Sequence, residues 1–245
     1  MDKIIIMQED ISAMLEENVW FNNPAWKIFR NERIFGNPYN KIWIEGVVDT
    51  DVKYDTEISA FGVYTTTIRV ARLSKNEDLI PVVIPREVMK NLLPDAIKGK
   101  FVRIYGQTQM QNYVGYDGKT HVRIYVYART FSVYANQSFS RKDYMSVAYL
   151  EGNICKKPYT REKSTNNETN TTFVLAVRRD SSKSEFIHCI AWKTTSDYAK
   201  KLSVGDRVRI MGRLHSRNYF KKNGESGTAY EISVFKLEKL EKRIY

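Results

Sequence analysis

Cysteine is nearly absent from this chain. Of 245 residues only Cys155 and Cys189 are cysteines, and no Cys-x-x-Cys spacing occurs. Such usage supports neither a disulfide framework nor a zinc site. Histidine is equally scarce: His121, His188 and His215 stand far apart. His188 adjoins Cys189, but neighbouring strand residues point to opposite faces, so the two cannot meet as nucleophile and base. No glycine-rich phosphate loop, His-Glu-x-x-His or paired acidic motif is present, so neither an enzyme nor a cofactor is expected. No apolar run is long enough to span a bilayer or form a signal-peptide core, and a cytoplasmic protein with no membrane partner is expected.

The composition has 42% hydrophobic and 13% aromatic residues, too much apolar material for a disordered chain. The formal charge is +11. Residues 146–245 hold 20 Lys and Arg against 11 Asp and Glu, whereas residues 1–145 hold 19 against 17. Five of those acids fall in the first 20 residues, leaving residues 21–145 basic as well. A basic chain favours polyanions, because each neutralised phosphate releases condensed counterions.

The chain repeats itself. Gly99–Gly106 (Gly-Lys-Phe-Val-Arg-Ile-Tyr-Gly) with Asn112 and Tyr113 returns 106 residues later as Gly205–Gly212 (Gly-Asp-Arg-Val-Arg-Ile-Met-Gly) with Asn218 and Tyr219. In the same ungapped register Glu45-Gly46 meets Glu151-Gly152, Thr65-Thr66 meets Thr171-Thr172, Arg72 meets Arg178 and Ile84 meets Ile190. A period of this length exceeds that of solenoids, about 20 to 50 residues, and matches a small domain. The expected organisation is an N-terminal segment (1–38), a divergent first copy (39–136), a linker (137–144) and a second copy (145–245).

Each copy reads as β. Val208, Ile210 and Leu214 alternate with Arg207, Arg209, Arg213, His215, Arg217 and Tyr219, the period of two of a half-buried strand. Gly106 and Gly212 interrupt that series where a bulge or sharp bend belongs. Asp117-Gly118 and Asn223-Gly224 are hairpin signals. Each copy then ends in a strand, with Val122, Ile124, Val126 and Ala128 inward in the first and Tyr230, Ile232 and Val234 in the second. Upstream, Phe186–Trp192 reads as a strand, Thr195-Ser196-Asp197 as an N-cap and Tyr198–Leu202 as a short helix. Five strands with a helix between the third and fourth describe an OB-fold, so the expected class is all-β: two tandem five-stranded Greek-key barrels.

The second copy resembles bacterial single-stranded DNA-binding proteins nearly from end to end. The resemblance rests on Leu150–Ile154, Pro158–Arg161, Phe173–Val177, Glu185–Trp192 and Val204–Tyr219, which follow in family order. It implies sequence-nonspecific single-stranded DNA binding, accessory to DNA replication or strand transfer, and a dimer that brings four OB-folds together. It also implies that Phe186, Trp192 and Tyr219 stack on bases and that Arg217 contacts the backbone.

Stacking on single strands needs exposed aromatic rings beside a positive groove. Candidates in the second copy are Phe186, Trp192, Lys193, Arg209, Arg213, Arg217, Tyr219, Lys221, Lys222 and Arg178. Phe186 and Trp192 are six apart and share a strand face, although strand aromatics are also common core residues. In the first copy Arg103, Tyr105, Tyr113, Arg123, Tyr125 and Tyr127 form interleaved arginine and tyrosine rows. Tyr125 and Tyr127 read equally as nucleic-acid contacts or as cover for a subunit or inter-domain interface. In the ungapped register Phe186 and Trp192 match Ile80 and Arg86, and Pro81 and Pro85 disturb that strand. An alternative reading therefore has the first copy contacting a helicase or other replication protein while only the second touches nucleic acid. RNA is a further possible ligand, since stacking does not inspect the 2′-hydroxyl.

Residues 3–19 have the spacing of an acidic amphipathic helix, followed by an aromatic-rich extended stretch, Trp20–Tyr39, that packs on the first barrel or docks a partner. Proteins of the resembled family typically end in an acidic tip, which the sequence around Leu237–Tyr245 lacks, so recruitment through such a tip is not expected.

Overall fold

The structure is a computed structural model that describes residues 29, 36–114, 118, 120–134, 138–162, 169–179, 183–220 and 226–241. The amphipathic segment 3–19 and most of the stretch after it lie outside the described residues, as do Lys221 and Lys222. Of that early stretch Phe29 is described. It is buried, and its carbonyl accepts a hydrogen bond from Lys41 Nζ.

The chain divides into two compact units, 1–146 and 147–245. The first contains β1 (Asn40–Val48), β2 (Lys53–Asp55), β3 (Val63–Ala71), β4 (Glu77–Pro85), the single-turn helix α1 (Arg86–Met89), β5 (Phe101–Val114) and β6 (Thr120–Tyr134). β1 pairs with both β3 and β5, β5 with β6, β6 with β4 and β4 with β3. The circuit closes a five-stranded barrel in which only β4 and β6 run parallel. The short β2 is added outside it, on β3.

The second unit repeats the plan with β7 (Met145–Ile154), β8 (Tyr159–Glu162), β9 (Thr169–Arg178), β10 (Ser184–Trp192), α2 (Lys193–Ala199), β11 (Arg207–Phe220) and β12 (Ser226–Lys239). Here β7 pairs with β9 and β11, β11 with β12, and β10 joins β9 antiparallel and β12 parallel. This is the OB-fold topology, twice.

Alternation fills each barrel. Ile42, Ile44, Ile68, Val70, Ile80, Val82, Ile84, Val102, Ile104 and Val126 are at most 1% exposed in the first. Leu150, Ile154, Leu175, Val177, Ile187, Cys189, Val208, Ile210, Leu214 and Ile232 do the same in the second. Val122, expected inward, is exposed, because it lies beyond the barrel on the projecting β5–β6 hairpin. The strand pairing slips by one residue at Tyr105/Gly106 and at Met211/Gly212, the two expected bulges. A Cβ on Gly106 would come within 2.2 Å of the Tyr127 carbonyl oxygen, and one on Gly212 within 2.6 Å of that of Ser233. Only glycine admits so close a backbone approach.

α2 begins at Lys193, earlier than the Thr195-Ser196-Asp197 cap implied. Ser196 is buried inside the helix with its Oγ 2.8 Å from Thr171 Oγ1, so a tertiary hydrogen bond takes the hydroxyl that the cap needed.

Pairing also corrects the repeat register. Val47 faces Arg69, which faces Leu79; Asn153 faces Ala176, which faces Phe186. The counterpart of Phe186 is therefore Leu79, not Ile80. Likewise Trp192 faces Asn170 where Pro85 faces Val63, so the counterpart of Trp192 is Pro85, not Arg86. The offset grows from 106 to 107 within one hairpin, since Asp55 faces Val63 but Arg161 faces Asn170, one residue farther along. Arg72 accordingly matches Arg179 rather than Arg178. Arg72 holds the fully buried Asp78 through two hydrogen bonds, and Arg179 holds the buried Glu185 at 3.1 Å.

Candidate nucleic-acid interface

The outer face of β9 and β10 carries four rows, Phe186 opposite Ala176, His188 opposite Val174, Ile190 opposite Thr172 and Trp192 opposite Asn170. Glu185, Ile187, Cys189 and Ala191 point inward and are buried, so parity sends the intervening aromatics outward. Phe186 is 51% exposed, and Trp192 is half-buried where β10 enters α2. His188 is exposed and Cys189 buried, so the pair lies on opposite sides of the strand, and burial pushes the Cys189 thiol well up.

β8 widens this face. Tyr159 sits opposite Thr172 and Arg161 opposite Asn170, placing them in the rows of Ile190 and Trp192. Two strand spacings separate the backbones of Arg161 and Trp192, about 10 Å. The Arg161 guanidinium lies 5.5 Å from the centre of the Tyr159 ring, and Tyr159 is 59% exposed. Sequence reasoning passed over both residues, although their spacing of two already put them on one face.

The β11–β12 hairpin supplies a second set. Tyr219 faces Gly227 across the hairpin and Arg217 faces Ala229. Tyr219 is 38% exposed and its neighbour Phe220 is 82% exposed. Arg217 is largely exposed, with Glu231 Oε1 at 3.8 Å, an ion pair too loose to neutralise it. Arg213 is half-buried farther down the strand. Lys193 is exposed and has φ 49°, a left-handed conformation uncommon for a non-glycine residue. Arg178 is exposed at the end of β9.

Two of the expected arginines have other engagements. Arg209 lies opposite Glu151 on β7, with Nη2 3.3 Å from Glu151 Oε2, Nη1 3.4 Å from Glu238 Oε2 and Nε donating to the Tyr149 hydroxyl at 3.0 Å. Burial pushes the Tyr149 hydroxyl up to about 12, so it stays protonated and donates to Glu151 Oε2 at 3.3 Å. Arg207 binds the other Glu151 oxygen. The first unit repeats the arrangement: Arg103 lies opposite Glu45 and is ion-paired with it, and Trp43 Nε1 donates to the same carboxylate at 3.2 Å. Tyr105 packs its ring on Trp43 at 5.5 Å, and burial raises its hydroxyl to about 12. Burial raises Glu45 as well, while the Arg103 charge opposes it. Arg209, Arg103 and Tyr105 thus belong to half-buried clusters on the β1–β5 and β7–β11 faces, not to the rows of Phe186 and Trp192.

In the first unit the outer face is partly covered by its own side chains. Tyr125 is 4% exposed and packs with Val63 and Val83, with Ile58 and Tyr127 closing over them. Its hydroxyl donates to Gln109 Oε1 at 3.4 Å. Tyr125 is therefore a cover over its own sheet, which neither a stacking platform nor a subunit contact describes. Tyr113 is 39% exposed, but the Arg123 guanidinium lies 4.8 Å from its ring centre. Leu79 and Pro85 stand where the second unit has Phe186 and Trp192.

The chain carries matches to known proteins that agree with this geometry. Residues 145–240 match the Single-strand binding protein family. A single-stranded DNA-binding protein of Clostridium tetani is 31% identical over 103 residues, covering 40% of this chain and 71% of that protein. One from Enterococcus faecalis is 29% identical over 104 residues, 38% of this chain, and the match spans only 53% of its own length. Among solved structures, the wild-type single-stranded DNA-binding protein of Thermus aquaticus superposes with a TM-score of 0.64 at 17% identity, covering 84% of this chain and 95% of that one. That likeness extends the shared fold beyond the matched segment. No helix among the described residues is long and apolar enough to cross a membrane. By sequence over its second barrel, the chain belongs to the single-strand binding protein family.

Proposed function

We propose that the chain binds single-stranded DNA with little sequence preference through the outer face of the second barrel, as an accessory to DNA replication or strand transfer. The observation that carries this reading is the placement of the exposed Phe186 and the half-buried Trp192 on one strand face, with Arg161, Lys193 and Arg178 along it and Arg217 on the β11–β12 hairpin. Bases stack on the rings and phosphates run along the cations, a combination indifferent to sequence because every base offers a π-face. Tyr219 continues the path onto the β11–β12 hairpin. Lys221, Lys222 and Arg213 are included as phosphate contacts. Arg209, Arg103, Tyr105 and Tyr125 are left out, for their side chains are engaged by neighbours on their own barrel's outer face.

The role is binding without catalysis, in the cytoplasm, with two copies of the chain pairing to bring four OB-folds together. A second reading is favoured by the covered face of the first unit. There the barrel serves as an adaptor that contacts a helicase or other replication protein, and Tyr113, Arg123 and Tyr127 belong to that role. Titrating tryptophan fluorescence with oligo-dT, oligo-U and duplex DNA of equal length at several salt concentrations tests the proposal. Tight, salt-sensitive binding of oligo-dT with weak duplex binding is expected; equal affinity for duplex sinks it.

A further inference from the structure

The outer face of the first barrel carries a hollow. A cavity of about 300 Å³ opens between the β2 segment and the outer faces of β3 and β4. Its floor is apolar, made by Pro81, Val83 and Tyr125, and Ile58 forms one wall. Its rim is polar, with Thr65 and Thr67 on β3, Asp55 and Lys53 on β2, and Arg123 on β6. Small-molecule cavities begin at about 300 Å³ and combine an apolar lining with a few placed polar groups. A hollow of this size has room for a nucleobase.

We infer that this cavity seats one nucleobase bearing an exocyclic amino group, of cytosine size, by insertion instead of open stacking. The inference rests on the proposed single-stranded DNA binding. The cations Lys53 and Arg123 stand at the rim, where the phosphates of an inserted nucleotide would lie, and the Tyr113 ring holds Arg123 in place. Discrimination falls to Asp55. Its Oδ1 accepts the backbone N–H of Glu57 at 2.7 Å and of Ile58 at 3.1 Å, which fixes the carboxylate. A fixed carboxylate accepts from an amino group such as cytosine N4 and repels the O4 carbonyl that thymine presents at the same place. In the second barrel the rows matching Thr65–Val83 and Thr67–Pro81 are Thr172–Ile190 and Val174–His188.

Asp55→Asn provides the test in the full-length chain. The asparagine carbonyl can still accept both backbone N–H groups, so the turn survives, but an N–H donor replaces the free carboxylate oxygen. Fluorescence-anisotropy affinities for dC15 and dT15 are measured for both proteins in one buffer. The wild type should prefer dC15 by about tenfold, the scale of one charge-assisted hydrogen bond, relative to the ratio in Asp55→Asn. An unchanged dC15/dT15 ratio, with both oligonucleotides still bound, overturns the base seat and leaves the DNA-binding proposal standing. Failure of the wild type to bind either oligonucleotide removes both. A measurement without substitution guards against misfolding: dCMP titrated into the isotope-labelled chain should shift the amide signals of Thr65 and Val83, and dTMP should not. Shifts confined to the second barrel, or equal shifts with dTMP, overturn the inference.

Discussion

The ring of Tyr219 lies across Gly227: a Cβ on the glycine would come within 2.7 Å of the tyrosine Cζ. The two residues face each other on the β11–β12 hairpin, so the missing side chain of one is the seat of the other. The ring is thereby held in one orientation while 38% of the residue remains exposed. Gly227→Val should displace the ring and weaken oligo-dT binding about as much as Tyr219→Ala, roughly 1–3 kcal/mol for one lost stacking platform. The melting temperature should barely move in either variant. A large loss of melting temperature in Tyr219→Ala with affinity intact would make the ring a structural residue.

The two barrels should respond unequally to the same change. Tyr113 is the sequence counterpart of Tyr219, yet Arg123 stands over its ring and His121 occupies the place of Gly227. In the full chain, Tyr113→Ala should lower oligo-dT affinity clearly less than Tyr219→Ala, and less than Trp192→Ala. Equal losses would place both barrels on one stacking path and remove the adaptor reading of the first.

Salt dependence separates the arginines. On single strands each neutralised phosphate contributes a slope of about −0.7 to log K against log salt. Arg217→Gln should flatten the slope by about that amount. Arg209→Gln should leave the slope unchanged and lower stability, since its guanidinium is held by Glu151, Glu238 and the Tyr149 hydroxyl. Urea denaturation and salt titration of the two variants distinguish a phosphate contact from an internal ion pair.

Glu45 gives a prediction in pH. Burial raises its folded pKa above the ordinary carboxylate value of 4.5, with Arg103 working against the shift. The folded chain therefore holds this proton more tightly than the unfolded chain. The resulting stability is fully present below the unfolded pKa and disappears as pH rises through the folded one. Unfolding free energies from urea titrations between pH 4 and neutrality should show a downward component in the wild type that Glu45→Gln lacks. Parallel curves for the two proteins would show that the carboxyl titrates normally.

Much of the fold is local and was legible as such. Period-two alternation identified the strand from Arg207 to Tyr219, and glycines recurring at 106 and 212 marked the bulges, because side-chain parity and close backbone approach depend on neighbours in the chain. The same parity put Tyr219 on the outward side and set Phe186 and Trp192 on one face, while the exposed role of Phe186 was implied by the family resemblance. Other features depended on residues distant in sequence. A single extra residue between Arg161 and Asn170 moves the repeat register from 106 to 107, and only the pairing of Ala176 with both Asn153 and Phe186 reveals that Leu79 is the true counterpart. Since a one-residue slip reverses which face a side chain occupies, the ungapped comparison placed the buried Ile80 at an exposed position. Arg209 looked like a phosphate contact until tertiary structure brought Glu151 and Glu238 beside it. Tyr125 alternates as an outward residue, but a strand face is solvent only if nothing folds over it, and Ile58 and Tyr127 do. Chain-local geometry thus determined the strands and their parity, whereas packing between distant segments decided which outward side chains remain available to a ligand.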